Sequence, residues 1–438
     1  MDLSDLTTIE AAGEIRSGNL SSAQLVDELL MRIESTDEGL KAWTLVDADG
    51  ARAAARAADS LRQRDRAARP LLGVPFGVKD VIDARGLPTA AGFAPFAGRV
   101  PTRDADAVAR LRQAGAIVLG KTVTTQFAHA DPPVTANPWR ADRSPGGSSS
   151  GSAAAVSAGQ VPFALGTQTG GSIIRPAYFC GVVGFKPTRD FLSRRGVVPL
   201  AWSLDHVGVI ARTAMDVATV LQGVTSRPAL PPAMAAPRLG LLSQALELAD
   251  PAVAEAARAG ADRLREAGAA VDEVVFPWSW ELATAAHHVI MQSEATTVHR
   301  DLLARHREAY QPVLRAYVEV GAAIPAVAYV HARRLQRRLG EDMAKLARRF
   351  DALLLPPSTA QAPERGSTGE SALQAPFSLA GLPAITLPVG VSEERLPHGM
   401  QLVGRRNQDE ALLSVAAWCQ SVMPAAPRPP VAATEAAR

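Results

Sequence analysis

The chain has 438 residues, of which 47% are hydrophobic and 21% charged, so it is long enough to bury a substantial core as one large or two ordinary domains. Lys+Arg 46 against Asp+Glu 44 leave a formal charge of +2, which gives no electrostatic footprint for nucleic acid or an anionic membrane surface. Two cysteines, Cys180 and Cys419, are too few for a disulfide scaffold, and no run of about twenty apolar residues supplies a membrane span. The N-terminus M-D-L-S-D-L-T-T-I-E has neither the basic start nor the apolar stretch of a signal peptide, so the expectation is a soluble, cytoplasmic protein.

Residues 21–33 predict an amphipathic helix, with Ser21 and Gln24 as a capping box and Leu25, Leu29 and Ile33 on one face. A second, Ala/Arg-rich helix is expected over 49–65. The core V-P-F-G-V of L-L-G-V-P-F-G-V-K-D reads as a buried strand that ends in Lys79. Residues 104–113 suit a helix stopped by Gly115, and 117–119 a short buried strand. Further on, R-L-G-L-L at 238–242 is a strand, Asp250-Pro251 starts a helix that reaches about Glu266, and V-D-E-V-V is another strand. The stretch 278–350 reads as largely helical, followed by the apolar strands D-A-L-L-L-P-P and A-I-T-L-P-V-G. Strands separated by helical patterns argue for an α/β fold with a large mixed β-sheet between flanking helices. One domain over 1–423 is expected, with 424–438 a disordered Pro/Ala-rich tail.

The most informative stretch runs from Ser144 to Lys186: S-P-G-G-S-S-S-G-S-A-A-A, then G-T-Q-T-G-G-S, then R-P-A-Y-F-C-G-V-V-G-F-K-P-T. Gly/Ser composition ordinarily marks a linker. Here Val156, Val161, Phe163, Leu165, Phe179, Val182, Val183 and Phe185 crowd around it, so the glycines mark tight turns and close backbone approach in a loop built for chemistry. Within the same run, Cys180 reads as a buried free thiol.

This segment resembles the signature of the amidase signature family, serine hydrolases that cleave C–N bonds of amides and related acyl compounds, and the resemblance extends over most of the chain. It implies that Ser172 attacks the carbonyl, that the N–H groups of Thr169, Gly170, Gly171 and Ser172 form the oxyanion hole, that Ser148 bridges after a cis peptide bond, and that Lys79 is the base. A lysine at the end of a buried strand is unusual, and burial would favour its neutral amine. A salt bridge from Lys79 to Asp80 or Asp83 is the alternative on the residues alone. None of the eight histidines falls within the motif, and His129, His206 and the His287-His288 pair show no triad context.

Two positions depart from the commonest family pattern. Gln168 stands where G-T-D-T has Asp, and S-I-I-R-P-A places the arginine at Arg175, a variant similar to the malonamidase-like branch. There the matching arginine holds a substrate carboxylate; bracing the loop is the equal alternative. Phe127 and His129, in T-T-Q-F-A-H-A-D-P-P, are candidate pocket residues beside Gln168 and Arg175. The resemblance implies a small-molecule amide or carbamate as substrate; with no H-E-x-x-H motif and no phosphate-loop G-K-S/T after the glycines of this stretch, no cofactor and no metal are expected, and the expected assembly is a monomer or homodimer. The alternative is the glutaminase subunit of a tRNA-dependent amidotransferase. That reading ranks lower here because M-Q-S-E-A-T-T-V-H-R-D-L-L, after residue 290, does not resemble the usual sequence of that subunit.

Overall fold

The computed structural model describes residues 2–61, 68–225, 234–425 and 427–430. Helices α1 (Thr8–Ser17) and α2 (Ser22–Leu40) open the chain, each on a capping box, Thr7 with Glu10 and Ser21 with Gln24. The apolar stripe of α2 continues past Ile33 through Leu40, and Lys41, at φ 54°, ends it in the left-handed region. Strand β1 (Trp43–Val46) and helix α3 (Ala48–Asp59) follow; the expected end of α3 at Asp65 lies outside the described residues. The first half continues with β2 (Pro75–Lys79), α4 (Asp106–Gln113), β3 (Ile117–Thr122), α5 (Ser150–Ser157), β4 (Phe163–Gln168), α6 (Ile174–Phe179), β5 (Val183–Lys186), β6 (His206–Ala211) and α7 (Ala214–Thr225). The second half contains β7 (Arg238–Leu242), α8 (Ser243–Glu247), α9 (Pro251–Glu266), β8 (Ala270–Val274), α10 (Trp280–His306), α11 (Pro312–Gly321) and α12 (Ala326–Ala347). It closes with β9 (Ala352–Leu355), α13 (Ala375–Ala380), β10 (Ala384–Val391), β11 (Pro397–Val403) and α14 (Asp409–Val422).

Among the described residues eleven strands form one mixed sheet, in the order β1-β3-β2-β4-β6-β5-β10-β11-β9-β7-β8, with helices packed against it. This is the expected α/β architecture. The neighbours β3-β2-β4 and β9-β7-β8 are parallel, and the remaining pairs antiparallel. Pro75 occupies the first position of β2, where a missing N–H is tolerated, and every residue of β2, β3 and β4 is buried. Strands covered on both faces read as continuous apolar runs, which is why the period-2 signal is absent from them.

The Gly/Ser tract differs from the expected loop. Its second half is helix α5, fully buried except at Ser157. Small side chains let α5 approach closely: a Cβ on Gly151 would stand 2.2 Å from Ala42 O and 2.4 Å from Val123 N. Its polar groups are answered by the sheet, Ser152 Oγ donating to Leu165 O at 3.0 Å and lying 2.7 Å from Thr122 Oγ1. The expected helical stretch resolves into α10, α11 and α12, with α10 packed against α12, α11 and α13. Of the expected tail, residues 426 and 431–438 lie outside the described residues, while Arg428 donates to Asp5 O at 3.2 Å.

Candidate active site

Lys79 ends β2, Gln168 ends the parallel neighbour β4, and the site gathers at these carboxyl ends, where open α/β sheets place their ligands. The Lys79 side chain is fully buried. Its Nζ lies 2.7 Å from Ser148 Oγ, 2.8 Å from Thr167 Oγ1 and 3.4 Å from Thr167 O. The carboxylates next to it in sequence are engaged elsewhere: Asp80 pairs with Lys121 at 3.0 Å, and Asp83 with Arg99 at 2.7 Å. Burial holds the Lys79 ammonium well below its usual range, with Asp205 opposing and Arg175 reinforcing the shift. A neutral amine here can accept a proton from the Ser148 hydroxyl.

Ser148 follows a cis Gly147–Ser148 peptide bond. Three contacts hold that bend. Arg175 Nη2 donates to Gly147 O at 2.7 Å, Thr125 N to Ser148 O at 3.3 Å, and Gly146 takes φ 77° against Pro176, whose Cα would stand 2.9 Å from a Cβ there. Ser149 N in turn donates to Ser172 O at 3.3 Å, tying the two serine-bearing segments together.

The loop from Gln168 to Ser172 has its carbonyls turned into the protein. Gln168 O meets His206 Nδ1 at 3.2 Å and Thr169 O meets His287 Nε2 at 3.0 Å. Gly170 O accepts from Ser378 Oγ at 2.7 Å and from Gln168 Nε2 at 3.0 Å, and Gly171 O accepts from Arg175 N at 2.9 Å. Gln168 Oε1 takes the N–H groups of Ile173 and Ile174 at 2.8 and 3.0 Å. By contrast, among the described residues the N–H groups of Gly170, Gly171 and Ser172 donate no hydrogen bond, and Ser172 Oγ makes none. A Cβ on Gly171 would lie 2.7 Å from Gln374 Oε1, so any side chain there would displace Gln374. The arrangement leaves a row of free donors beside a free hydroxyl, which suits stabilisation of an oxyanion.

The expected substrate-side residues fall into different settings. The amide of Gln168 is spent on both atoms within the loop, through the bonds above and a further one to Ser378 Oγ at 3.1 Å. Arg175 is buried, carries no ion pair among the described residues, and leaves its Nε without a partner. Burial lowers its pKa to about 10, with Glu370 opposing. Phe127 packs among Phe93, Phe96, His299 and Tyr310 with φ 48°, and His129 lies 4.5 Å from the Tyr317 ring. Burial, with a smaller push from His288, lowers His129 to about 4, so it is neutral at physiological pH. Their loop reaches the site through Thr125 and is fastened to α11 by Asp131, which accepts from Val313 N at 3.0 Å and Leu314 N at 3.1 Å.

Several supporting residues escaped the sequence reading. Thr167 holds Lys79. Asp205 accepts from Thr169 Oγ1 at 2.6 Å and from Leu200 N and Ala201 N at 3.0 and 3.1 Å; burial still raises its pKa to about 6. His206, His287 and Ser378 hold loop carbonyls, and burial keeps both imidazoles neutral, His287 at about 4. No motif marks these partners. Only the pairing of Gln168 with His206 across β4 and β6, and the packing of α10 and α13 over the loop, brings them in.

Comparison with known proteins places this geometry in context. The profile of the Amidase family matches residues 24–413. Among curated proteins, the A subunit of glutamyl-tRNA(Gln) amidotransferase from Roseiflexus castenholzii is 36% identical, over 94% of this chain and 95% of its own. The protein of the same name from Myxococcus xanthus is 33% identical, over 95% of this chain and 97% of its own. Among solved structures, one described as an amidase has a TM-score of 0.89 at 31% identity, covering 96% of this chain and 100% of that one. The peptide amidase from Stenotrophomonas maltophilia has a TM-score of 0.82 at 29% identity, covering 98% and 99%. No single described helix is long and apolar enough to cross a membrane.

Proposed function

Because the chain belongs to the amidase signature family, we propose that it hydrolyses acyl C–N bonds of small amides or chemically similar carbamates through an acyl-enzyme on Ser172. The observation that carries this reading is the loop whose carbonyls are all bonded inward while the N–H groups of Gly170, Gly171 and Ser172 stay free beside Ser172 Oγ. Ser172 Oγ–H meets Ser148 Oγ as substrate enters, and apo sites commonly leave such contacts loose. As Ser172 attacks, its proton passes to Ser148 while the Ser148 proton passes to the neutral Lys79 amine. The tetrahedral oxyanion rests on the free loop donors. On collapse the C–N bond breaks and the nitrogen leaves with a proton returned along the same path. Water then repeats the sequence on the acyl-enzyme, releasing the acid and restoring the Ser172 hydroxyl.

Arg175 is assigned the brace role: it holds Gly147 O, the carbonyl of the cis bond that presents Ser148. A second reading, glutamine hydrolysis within an amidotransferase complex, is favoured by the names of the curated relatives at 33–36% identity. Those alignments span at least 94% of this chain, so the curated relatives support that reading better than the stand-alone one, despite the stretch after residue 290.

The test is product analysis by mass spectrometry on glutamine, aliphatic and acidic amides, anilides and aryl carbamates, with Ser172→Ala as control. Turnover of small amides or carbamates by the purified chain, with glutamine untouched, supports the stand-alone enzyme; glutamine alone as substrate supports the amidotransferase reading. Retained labelling of Ser172→Ala by a serine-directed fluorophosphonate would overturn the nucleophile.

A further inference from the structure

A concave feature lies away from the Lys79–Ser172 group. A cavity of about 680 Å³ opens between α12, α13 and the loops that follow β5 and β11. Arg189, Arg333, Arg334, Arg337 and Arg406 line it, and Glu341 is the single carboxylate on its wall. Of the five arginines, only Arg333 has a carboxylate partner among the described residues, Glu294 at 3.3 Å, and that group also accepts from Ser203 and Tyr329. Among the described residues Arg189, Arg334, Arg337 and Arg406 form no ion pair.

Arg189 is the most enclosed of the four. Its side chain lies over Gly381, where a Cβ would stand 3.5 Å from Cζ, and Nη1 donates to Ser203 O at 3.2 Å. Burial lowers its pKa, Arg406 and Arg333 add to that, and Asp190 only partly offsets them. Arg333, Arg334 and Arg337 stand at i, i+1 and i+4 on α12, a spacing that sets like charges against one another along one helix face. Arg334, Arg337 and Arg406 are exposed and Arg189 is partly buried beside them, so four guanidinium groups without ion pairs among the described residues face one space and raise its attraction for an anion.

We propose that this cavity binds a compact, multiply charged oxyanion through the guanidinium groups of Arg189, Arg337 and Arg406. The planar fork of arginine matches phosphate and carboxylate oxygens in pairs, and the open cleft has room for a diphosphate or a tricarboxylate with its water. An extended polyanion would need a continuous basic track, which Glu341 and Asp190 interrupt.

The experiment is titration calorimetry on the full chain, with inorganic pyrophosphate and citrate as separate arms and sodium chloride holding ionic strength constant. Saturable binding at one site per chain is expected in at least one arm: pyrophosphate alone identifies a phosphate ligand, citrate alone a polycarboxylate, and both a general oxyanion site. Arg337→Gln/Arg406→Gln should weaken binding by about tenfold or more, because each lost charge-assisted pair is worth about that factor. Arg300→Gln, at an exposed arginine of α10 paired with Asp301, should bind as wild type. The two single variants are measured alongside, so a folding defect in the double variant does not decide the result. No saturable heat in either arm, or equal binding by wild type and both single variants, overturns the proposal.

Discussion

The loop from β4 into α6 and the helical face of α10–α12 treat their polar groups in opposite ways. In the loop, the carbonyls from Gln168 to Ser172 all have named partners, and the groups left over are backbone donors and one hydroxyl. On the helical face the leftovers are long charged side chains, together with exposed Val313, Val320, Val327 and Val330. The first pattern fixes atoms to within a hydrogen bond, as transition-state chemistry requires. The second leaves flexible groups on a surface, which suits recognition. The two regions meet at α13, where Ser378 holds Gly170 O while Leu379 and Ala380 line the arginine cavity.

That contrast can be broken most forcefully at the base. Lys79→Ala should lower kcat/KM by about a thousandfold or more, since it removes the proposed proton acceptor and strands Ser148 and Thr167. Steady-state rates measure it, and a loss below about tenfold would remove Lys79 from the relay. Next comes the loop's internal brace. Gln168→Leu should cost about a hundredfold in kcat with KM little changed, because Ile173 N and Ile174 N lose their partner, Gly170 O keeps only Ser378 Oγ, and the donor row shifts. Gln168→Glu keeps the acceptor for the two N–H groups, loses the donor to Gly170 O, and should fall between Leu and wild type.

Arg175→Met should lower kcat about tenfold across neutral and acidic amides alike if it acts through Gly147. A loss confined to acidic amides, read as a rise in KM, would transfer Arg175 to substrate binding. On the helical face, Val327→Ser should leave turnover unchanged and move stability by no more than about 0.5 kcal/mol, checked by thermal melting.

The buried lysine also ties activity and stability to pH. Its folded pKa is lowered, so kcat/KM should climb with pH as the amine loses its proton and then level. For stability, the unfolded chain still holds the proton between the lowered folded pKa and 10.5, so it binds more protons than the native state and stability rises with pH through that window. Below the folded pKa the cost of charging the buried group is present in full. Lys79→Met, which has nothing to charge, should therefore melt at or above wild type near neutrality, by about 1–3 °C, and the gap should close toward pH 10.5. A gap that widens with pH would contradict the burial argument.

Lys79, Ser148 and Ser172 are legible in the sequence because their short runs of glycine, proline and serine resemble the family signature; on the residues alone, Lys79 also suits a salt bridge to Asp80 or Asp83. The mixed sheet was legible from strands alternating with helical patterns, and α2 from its capping box. What stayed hidden acts across distance. His287 reaches Thr169 over 118 positions and Ser378 reaches Gly170 over 208, so no local spacing announces either. Helix α5 was hidden for another reason: its Gly/Ser composition reads as coil, and only the close seat against Ala42 and Val123 favours helix there.

The meeting of Lys79 with Thr167 depends on which residue of β4 stands beside which residue of β2, with Val78 opposite Leu165. Side chains alternate along a strand, so one residue inserted within 163–166 would send Thr167 to the other face of the sheet and leave the amine without its hydroxyl. Length changes in relatives should therefore collect in the connections, never inside these two strands. For an engineer, this marks where the chain can be cut and rejoined: new termini belong in the exposed turns around Gly366 and Arg395, far in sequence from both strands.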